Sequence, residues 1–264
     1  LYGNVNLYFS LFSLNLEYIN YRFGTLDPLN RWNNVDNYGI IQHFQNPPIS
    51  GVIGSTTLIN RTTHQTDFNN EVGYKLEILG SIRDDFEYYG FISRSSRSNT
   101  WFINNEFEWE KEGQPVILPQ TDPAASPYKA YYGEISGYFF DYALHTMIGY
   151  SYSEDMIDLA YYSKTDTSKN MNYTYQSAKT IPLHTSFTFS NGWSIEAKIE
   201  TQWLKKGIWR FEELNGNIIA DSLISEFLDV NENPIGFQQN TFMSISVGKS
   251  PNWTMAFTLD KIST

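Results

Sequence analysis

The chain has 264 residues and no cysteine, and its 18 Lys and Arg against 29 Asp and Glu give a formal charge of −11. Without cysteine there is no disulfide framework, thiolate metal site or thiol nucleophile, and an acidic chain lacks the basic face that displaces counterions from nucleic acid. Aromatic residues at 17% beside charged residues at 18% exclude a wholly disordered chain, and no apolar run approaches the roughly 18 residues of a membrane helix.

The chain opens in an alternating pattern, Leu1-Tyr2-Gly3-Asn4, and closes in another, Trp253 to Thr264. It carries no charged-then-apolar leader, and we expect an ordered piece of a longer precursor. Period 2 recurs in between, with Val, Ile, Thr, Tyr, Phe and Trp in the runs, which predicts strands. Val72, Tyr74, Leu76 and Ile78 alternate with Gly73, Lys75 and Glu77. Ile103, Phe107 and Trp109 alternate with Asn104, Glu106, Glu108 and Glu110, predicting one strand over 103–110. Leu144, Thr146, Ile148, Tyr150 and Tyr152 alternate with His145, Met147, Gly149 and Ser151.

Residues 182–203 predict a hairpin. Leu183, Thr185, Phe187 and Phe189 form one face of its first strand. In the second, Trp193, Ile195, Ala197, Ile199, Thr201 and Trp203 oppose Ser194, Glu196, Lys198, Glu200 and Gln202. Asn191-Gly192 between them predicts a type I′ turn, whose central residues both need φ > 0. A short helix is expected over Ile218–Leu228, and a last hairpin around Ser250-Pro251-Asn252. The pattern predicts about 12 to 14 strands of about 8–11 residues. Short joints at Ser10–Ser13, Asp141, Asn191-Gly192 and Pro251-Asn252 contrast with long polar segments at 24–50, 111–127 and 204–240. Outer-membrane barrels have that layout, short turns at one end and long loops at the other.

Strand length points the same way. At roughly 3.3 Å per residue, 193–203 covers about 33 Å, and tilted by about 40° it spans about 25 Å, the height of a barrel's apolar band. Trp at both ends with aliphatic residues between matches two interfacial aromatic girdles. We expect an all-β, antiparallel up-and-down transmembrane β-barrel: a single domain over 1–264, or the later part of a larger barrel. The alternative is a soluble or cell-surface β-sandwich that binds glycans or proteins by stacking on Trp32, Trp101 and Trp209.

Three sets of stretches stand out: Asp67-Phe68-Asn69-Asn70-Glu71-Val72-Gly73-Tyr74-Lys75-Leu76-Glu77, Gly3-Asn4-Val5-Asn6-Leu7 with Leu14-Asn15-Leu16-Glu17-Tyr18, and Ser250-Pro251-Asn252-Trp253-Thr254. They resemble an uncharacterised outer-membrane β-barrel family of Bacteroidota-type bacteria. The resemblance runs in the same order over most of the chain. It implies a larger barrel located in the bacterial outer membrane, and it brings no catalytic residues.

In that reading Lys75, Glu77, Glu106, Glu108, Glu110, Glu196, Lys198 and Glu200 line a polar lumen whose acidity favours cations. Trp193, Ile195, Ala197, Ile199 and Trp203 face lipid. His43, His64, His145 and His184 make no His-x-His or His-x-x-x-His pair, so no zinc signature is present; His145 and His184 read as polar lumen residues. Asp229-Val230-Asn231-Glu232-Asn233-Pro234 has the alternation of a calcium loop, but Pro234 stands where such a loop needs glycine. No cofactor, metal or catalytic residue is expected. Expected partners are outer-membrane lipid and proteins docking on the loops 24–50, 111–127 and 204–240. The chain reads as a pore, transporter component or scaffold, and not as an enzyme.

Overall fold

The computed structural model describes residues 1–21, 56–62, 64, 70–104, 106, 108–165, 168–228, 236–249 and 253–263. In chain order the elements are β1 (Tyr2–Tyr8), β2 (Phe12–Asn20), the four-residue helix α1 (Thr57–Asn60), β3 (Glu71–Arg83), β4 (Phe86–Arg97), β5 (Thr100–Ile103) and β6 (Trp109–Glu112). A 3-10 turn at Pro123–Ala125 precedes β7 (Tyr128–Phe139), β8 (Leu144–Lys164), β9 (Ser168–Thr188), β10 (Trp193–Leu214), β11 (Asn217–Ser225), β12 (Gln238–Lys249) and β13 (Trp253–Ser263). The chain is all-β, as the alternation required.

Ten strands form one path, β1-β2-β3-β4-β7-β8-β9-β10-β12-β13, every neighbour antiparallel. The small hairpin β5–β6 joins β8 by a single parallel pair, Ile103 with Ser163, and β11 pairs with the upper half of β10. Among the described residues β1 and β13 do not pair with each other, so the sheet is not closed. Five connections, β1–β2, β3–β4, β7–β8, β9–β10 and β12–β13, are two to four residues long and lie at one end. The long connections β2–β3 and β11–β12 lie at the other end, together with two short ones, β8–β9 of three residues and β10–β11 of two.

The register sorts the side chains into two faces, because residues opposite each other in an antiparallel pair share a face. One cross-strand row runs Ile135, Ile148, Leu183, Ile199, Met243, Leu259 across six consecutive strands of the path. The row beside it on the same face reads Gly137, Thr146, Thr185, Ala197, Ile245, Phe257, and the one beyond that Phe139, Leu144, Phe187, Ile195, Val247, Met255. The opposite face carries Tyr132, Ser151, Thr180, Gln202 and Asn240 in one row. Burial is the reverse of a water-soluble sheet. Ile199 is 38% and Phe257 68% exposed, while Glu200 is 2% and Gln202 1% exposed.

Above the apolar band the same outward face changes character. Met171, Tyr173 and Tyr175 of β9 are buried, with Trp209 and Phe211 of β10 packed against them. They are covered by Phe102 of β5, Ala124 of the 3-10 turn and Leu223 of β11. Outward apolar side chains are therefore shielded by protein in one half of these strands and left bare in the other.

Four sequence expectations are corrected. First, β8, β9 and β10 run for 21, 21 and 22 residues, twice the expected length, because they continue beyond the apolar band; the long loop expected over 204–240 is accordingly strand to Leu214 and again over β11. Second, the helix expected over 218–228 is strand β11. Ile219, Ala220, Leu223, Ile224 and Leu228 do stand at helical spacing, but pairing with β10 overrides it, and a register shift at Glu212/Glu213 interrupts the period-2 signal before it. Third, Asn191-Gly192 is not a type I′ pair. Only Gly192 has positive φ, at 83°; its N–H donates to the Phe189 carbonyl at 3.0 Å, and the Asn191 side chain accepts from the Trp193 N–H at 3.3 Å. This is the longer hairpin loop closed by a left-handed glycine. The type I′ pair is Asn215-Gly216, with φ of 51° and 78°, between Leu214 and Asn217. Fourth, 103–110 is not one strand: β5 ends at Ile103, and Asn104, whose side-chain oxygen accepts from the Glu106 and Glu108 N–H groups at 2.9 Å, turns the chain into β6. Phe107, the turn at 250–252 and the loop 24–50 lie outside the described residues.

Gly207 of β10 sits against the backbone of β11. A methyl group there would be driven into the Ile224 carbonyl oxygen, and backbone cannot swing aside as a side chain can. Gly207→Ala is expected to cost about 1–3 kcal/mol, the usual range for overpacking. Faster proteolysis of the 207–225 hairpin would show it; unchanged protection would contradict the close approach.

Candidate functional site

The polar face is occupied by the chain's own segment 56–64. α1 is too short to be stable alone, and Thr56 provides no side-chain cap. Glu200 of β10 does so instead. Its two carboxylate oxygens accept from the Thr57 and Leu58 N–H groups, each at 2.6 Å, a carboxylate on the positive end of a helical turn. The Gln202 amide donates to the Leu58 carbonyl at 2.9 Å and to the Thr180 hydroxyl at 3.1 Å, and Asn240 donates to Gln202 at 3.0 Å. Leu58 is fully buried.

The segment is pinned at two further points. Arg61 pairs with Asp260 of β13 at 2.6 Å. His64 meets Asp155 of β8 at 3.0 Å through Nδ1, and Glu71 of β3 at 3.4 Å through Nε2. The Ser95 hydroxyl lies 3.3 Å from Nε2, and the ring stacks on Tyr128 at 4.2 Å. β3 and β13 are seven strand spacings apart along the path, about 34 Å at about 4.8 Å per spacing. Three residues of chain reach only about 11 Å. The sheet must therefore curl around this segment, polar face inward.

Ser95, His64 and Asp155 have the order of a nucleophile relay, so their protonation decides what they do. Burial opposes charge on His64, but Asp155 and then Glu71 outweigh it and push its pKa up from 6.5 to about 10. An imidazolium at neutral pH cannot take the Ser95 proton, and Glu71 shares the nitrogen that would have to accept it. The group is a clasp between the segment and the wall.

The other polar-face residues are also paired. Lys75 contacts Glu77 at 2.6 Å, and Glu77 accepts from Tyr89 at 2.6 Å and Asn15 at 2.8 Å. Glu196 contacts His184 at 2.8 Å and Lys198 at 3.0 Å. The structure thus places Lys75, Glu77, Glu196, Lys198 and Glu200 together on the inward face. It does not bring Glu106, Glu108 and Glu110 there, since they are exposed on the β5–β6 hairpin, where the Asn104 turn reverses the chain. Trp193, Ile195, Ala197, Ile199 and Trp203 share the outward face.

Two of the three tryptophans considered as stacking platforms, Trp101 and Trp209, are engaged within the protein. Trp101 is buried beneath Lys111. Trp209 stacks on Tyr173 and donates its Nε1–H to Asp221 at 2.7 Å. Trp32, His43 and 229–234 lie outside the described residues. The missed site residues are Gln202, Asn240, Asp155, Glu71 and the 56–64 segment. Their one sequence signal was polar residues at strand positions, without any hint of what they would hold. No family model matches the sequence, and no curated protein or solved structure matches it either.

Proposed function

We propose that the chain is a transmembrane antiparallel β-barrel, or the later part of a larger one, in a bacterial outer membrane. It acts as a scaffold or transporter component whose interior is filled, rather than as an open diffusion pore. One observation carries this: across consecutive strands the outward face is bare aliphatic and aromatic, while the inward face buries Glu, Gln, Asn and Lys. Water would select the opposite; hydrocarbon outside and a polar interior select this one. The curl of the sheet and the short-turn, long-loop layout support it. In a barrel the free edges of β1 and β13 close on each other or through further strands, since exposed edges invite aggregation. The segment pinned across the polar face by Glu200, Gln202, Asp260 and Asp155 supports the scaffold side of the reading.

Expressed protein should partition into the detergent-extracted membrane fraction and, in planar bilayers, give no steady conductance. Recovery in buffer without detergent would contradict the membrane reading. A steady conductance would contradict the filled interior and restore the open pore.

A further inference from the structure

We propose that the rim of the outward face holds a binding site for a phosphate-bearing anion, delivered as the headgroup of a membrane lipid; this rests on the transmembrane reading. The site is a cavity of about 180 Å³ between the 119–127 loop and the starts of β7 and the upper parts of β4 and β8. That is many times the roughly 10–15 Å³ that admits one water, enough for a phosphate group. Arg94 and Lys129 line it, with Gln120, Thr121 and Glu154.

The two cations stand directly opposite each other on β4 and β7. Like charges in that position repel, so the arrangement calls for an anion. Glu154 supplies one to Lys129 at 2.7 Å, and its carboxylate also accepts from Tyr152 at 2.6 Å. Arg94 has no carboxylate partner among the described residues; its Nη2 donates only to the Tyr131 hydroxyl, at 3.4 Å. Arg94 is thus the cavity's cation left without a carboxylate in a chain of net charge −11, and guanidinium binds phosphate through two parallel hydrogen bonds.

The location selects a lipid as the source. The register continues this row as Tyr18, Tyr74, Arg94, Lys129, Glu154 on the outward face. The adjacent row toward the apolar band is Leu16, Leu76, Ile92, Tyr131, Tyr152. Tyrosines between cations above and aliphatics below mark the headgroup level. Beside the site, Ile117 and Leu118 point exposed apolar side chains outward from a loop tied to the wall by Tyr18, whose hydroxyl donates to the Ile117 carbonyl at 2.7 Å.

The test uses the whole chain in bilayer discs of phosphatidylcholine carrying a minor fraction of phosphatidylglycerol, with bound lipid read by native mass spectrometry. Retention of phosphatidylglycerol over phosphatidylcholine is expected, falling about tenfold in Arg94→Gln, the loss of one charge-assisted pair at about 1.4 kcal/mol per decade. Arg94→Lys should recover only part of it, and Arg210→Gln, an exposed cation elsewhere, none of the loss. Soluble glycerol phosphate at millimolar concentration should not displace the lipid; full displacement would overturn the lipid source and leave a site for free phosphate esters. Equal retention of the two lipids, or an unchanged Arg94→Gln, would overturn the site while leaving the membrane reading intact. Failure of the chain to enter the discs would instead count against the membrane reading.

Discussion

Replacing Glu200 by Leu is expected to destabilise the folded protein by about 3–6 kcal/mol, the sum of two hydrogen bonds to a charged acceptor at about 1.5–3 kcal/mol each. Glu200, itself buried, satisfies the Thr57 and Leu58 N–H groups on the inward face of the sheet. The loss should appear as a lower urea midpoint in detergent and as faster hydrogen exchange at residues 57 and 58. Glu200→Gln keeps one acceptor oxygen and should fall between. A change below about 0.5 kcal/mol, ordinary for a surface substitution, would mean that the segment is not held by β10.

The clasp at His64 should have an effect of similar size and a distinct pH dependence. Removing one partner of a buried ion group costs about 3–5 kcal/mol because the other charges remain, so His64→Leu, which strands Asp155 and Glu71, should be that much less stable at pH 7. The folded pKa lies above the unfolded value, about 10 against 6.5. The native state therefore holds a proton that the unfolded state releases. Its contribution is complete below about pH 6.5 and is lost as pH rises through about 10. Unfolding free energy of the natural protein should fall over that window, and His64→Leu should lack that fall. A natural protein whose stability is flat from pH 6.5 to 10 would contradict the protonated clasp.

These two sites were also the least legible in the sequence. The face split of 193–203 could be read directly, since Trp193, Ile195, Ala197, Ile199 and Trp203 alternate with polar residues over a whole strand. Period 2 needs only local order, and lipid-like exposure preserves it. The turn chemistry was legible but misplaced. Asn191-Gly192 and Asn215-Gly216 offer the same dipeptide, and which one takes two left-handed residues depends on the strand register. β11 was hidden because its apolar residues, Ile219 with Leu223 and Ala220 with Ile224, do not alternate and stand at helical spacing, while the strand is set by pairing with β10. α1 is shorter than two helical turns and carries no periodic signal. Its partner Glu200 lies 142 residues from Leu58, and His64 lies 91 residues from Asp155. Contacts of that range arise from the curl of the sheet, which no local pattern encodes. The acidic stripe at Glu106, Glu108 and Glu110 misled for the complementary reason: a turn at Asn104 breaks the strand that the alternation suggested.

The reversed burial is tested most directly by single spin labels placed in turn at residues 193–203 in lipid bilayers, with their accessibility to an apolar and a polar relaxant measured. Outward positions 195, 197 and 199 should favour the apolar relaxant. Positions 196, 198 and 200 should be shielded from it, giving a period of 2 that persists along the strand. Accessibility without alternation, or polar access at 195, 197 and 199, would contradict a lipid-facing wall.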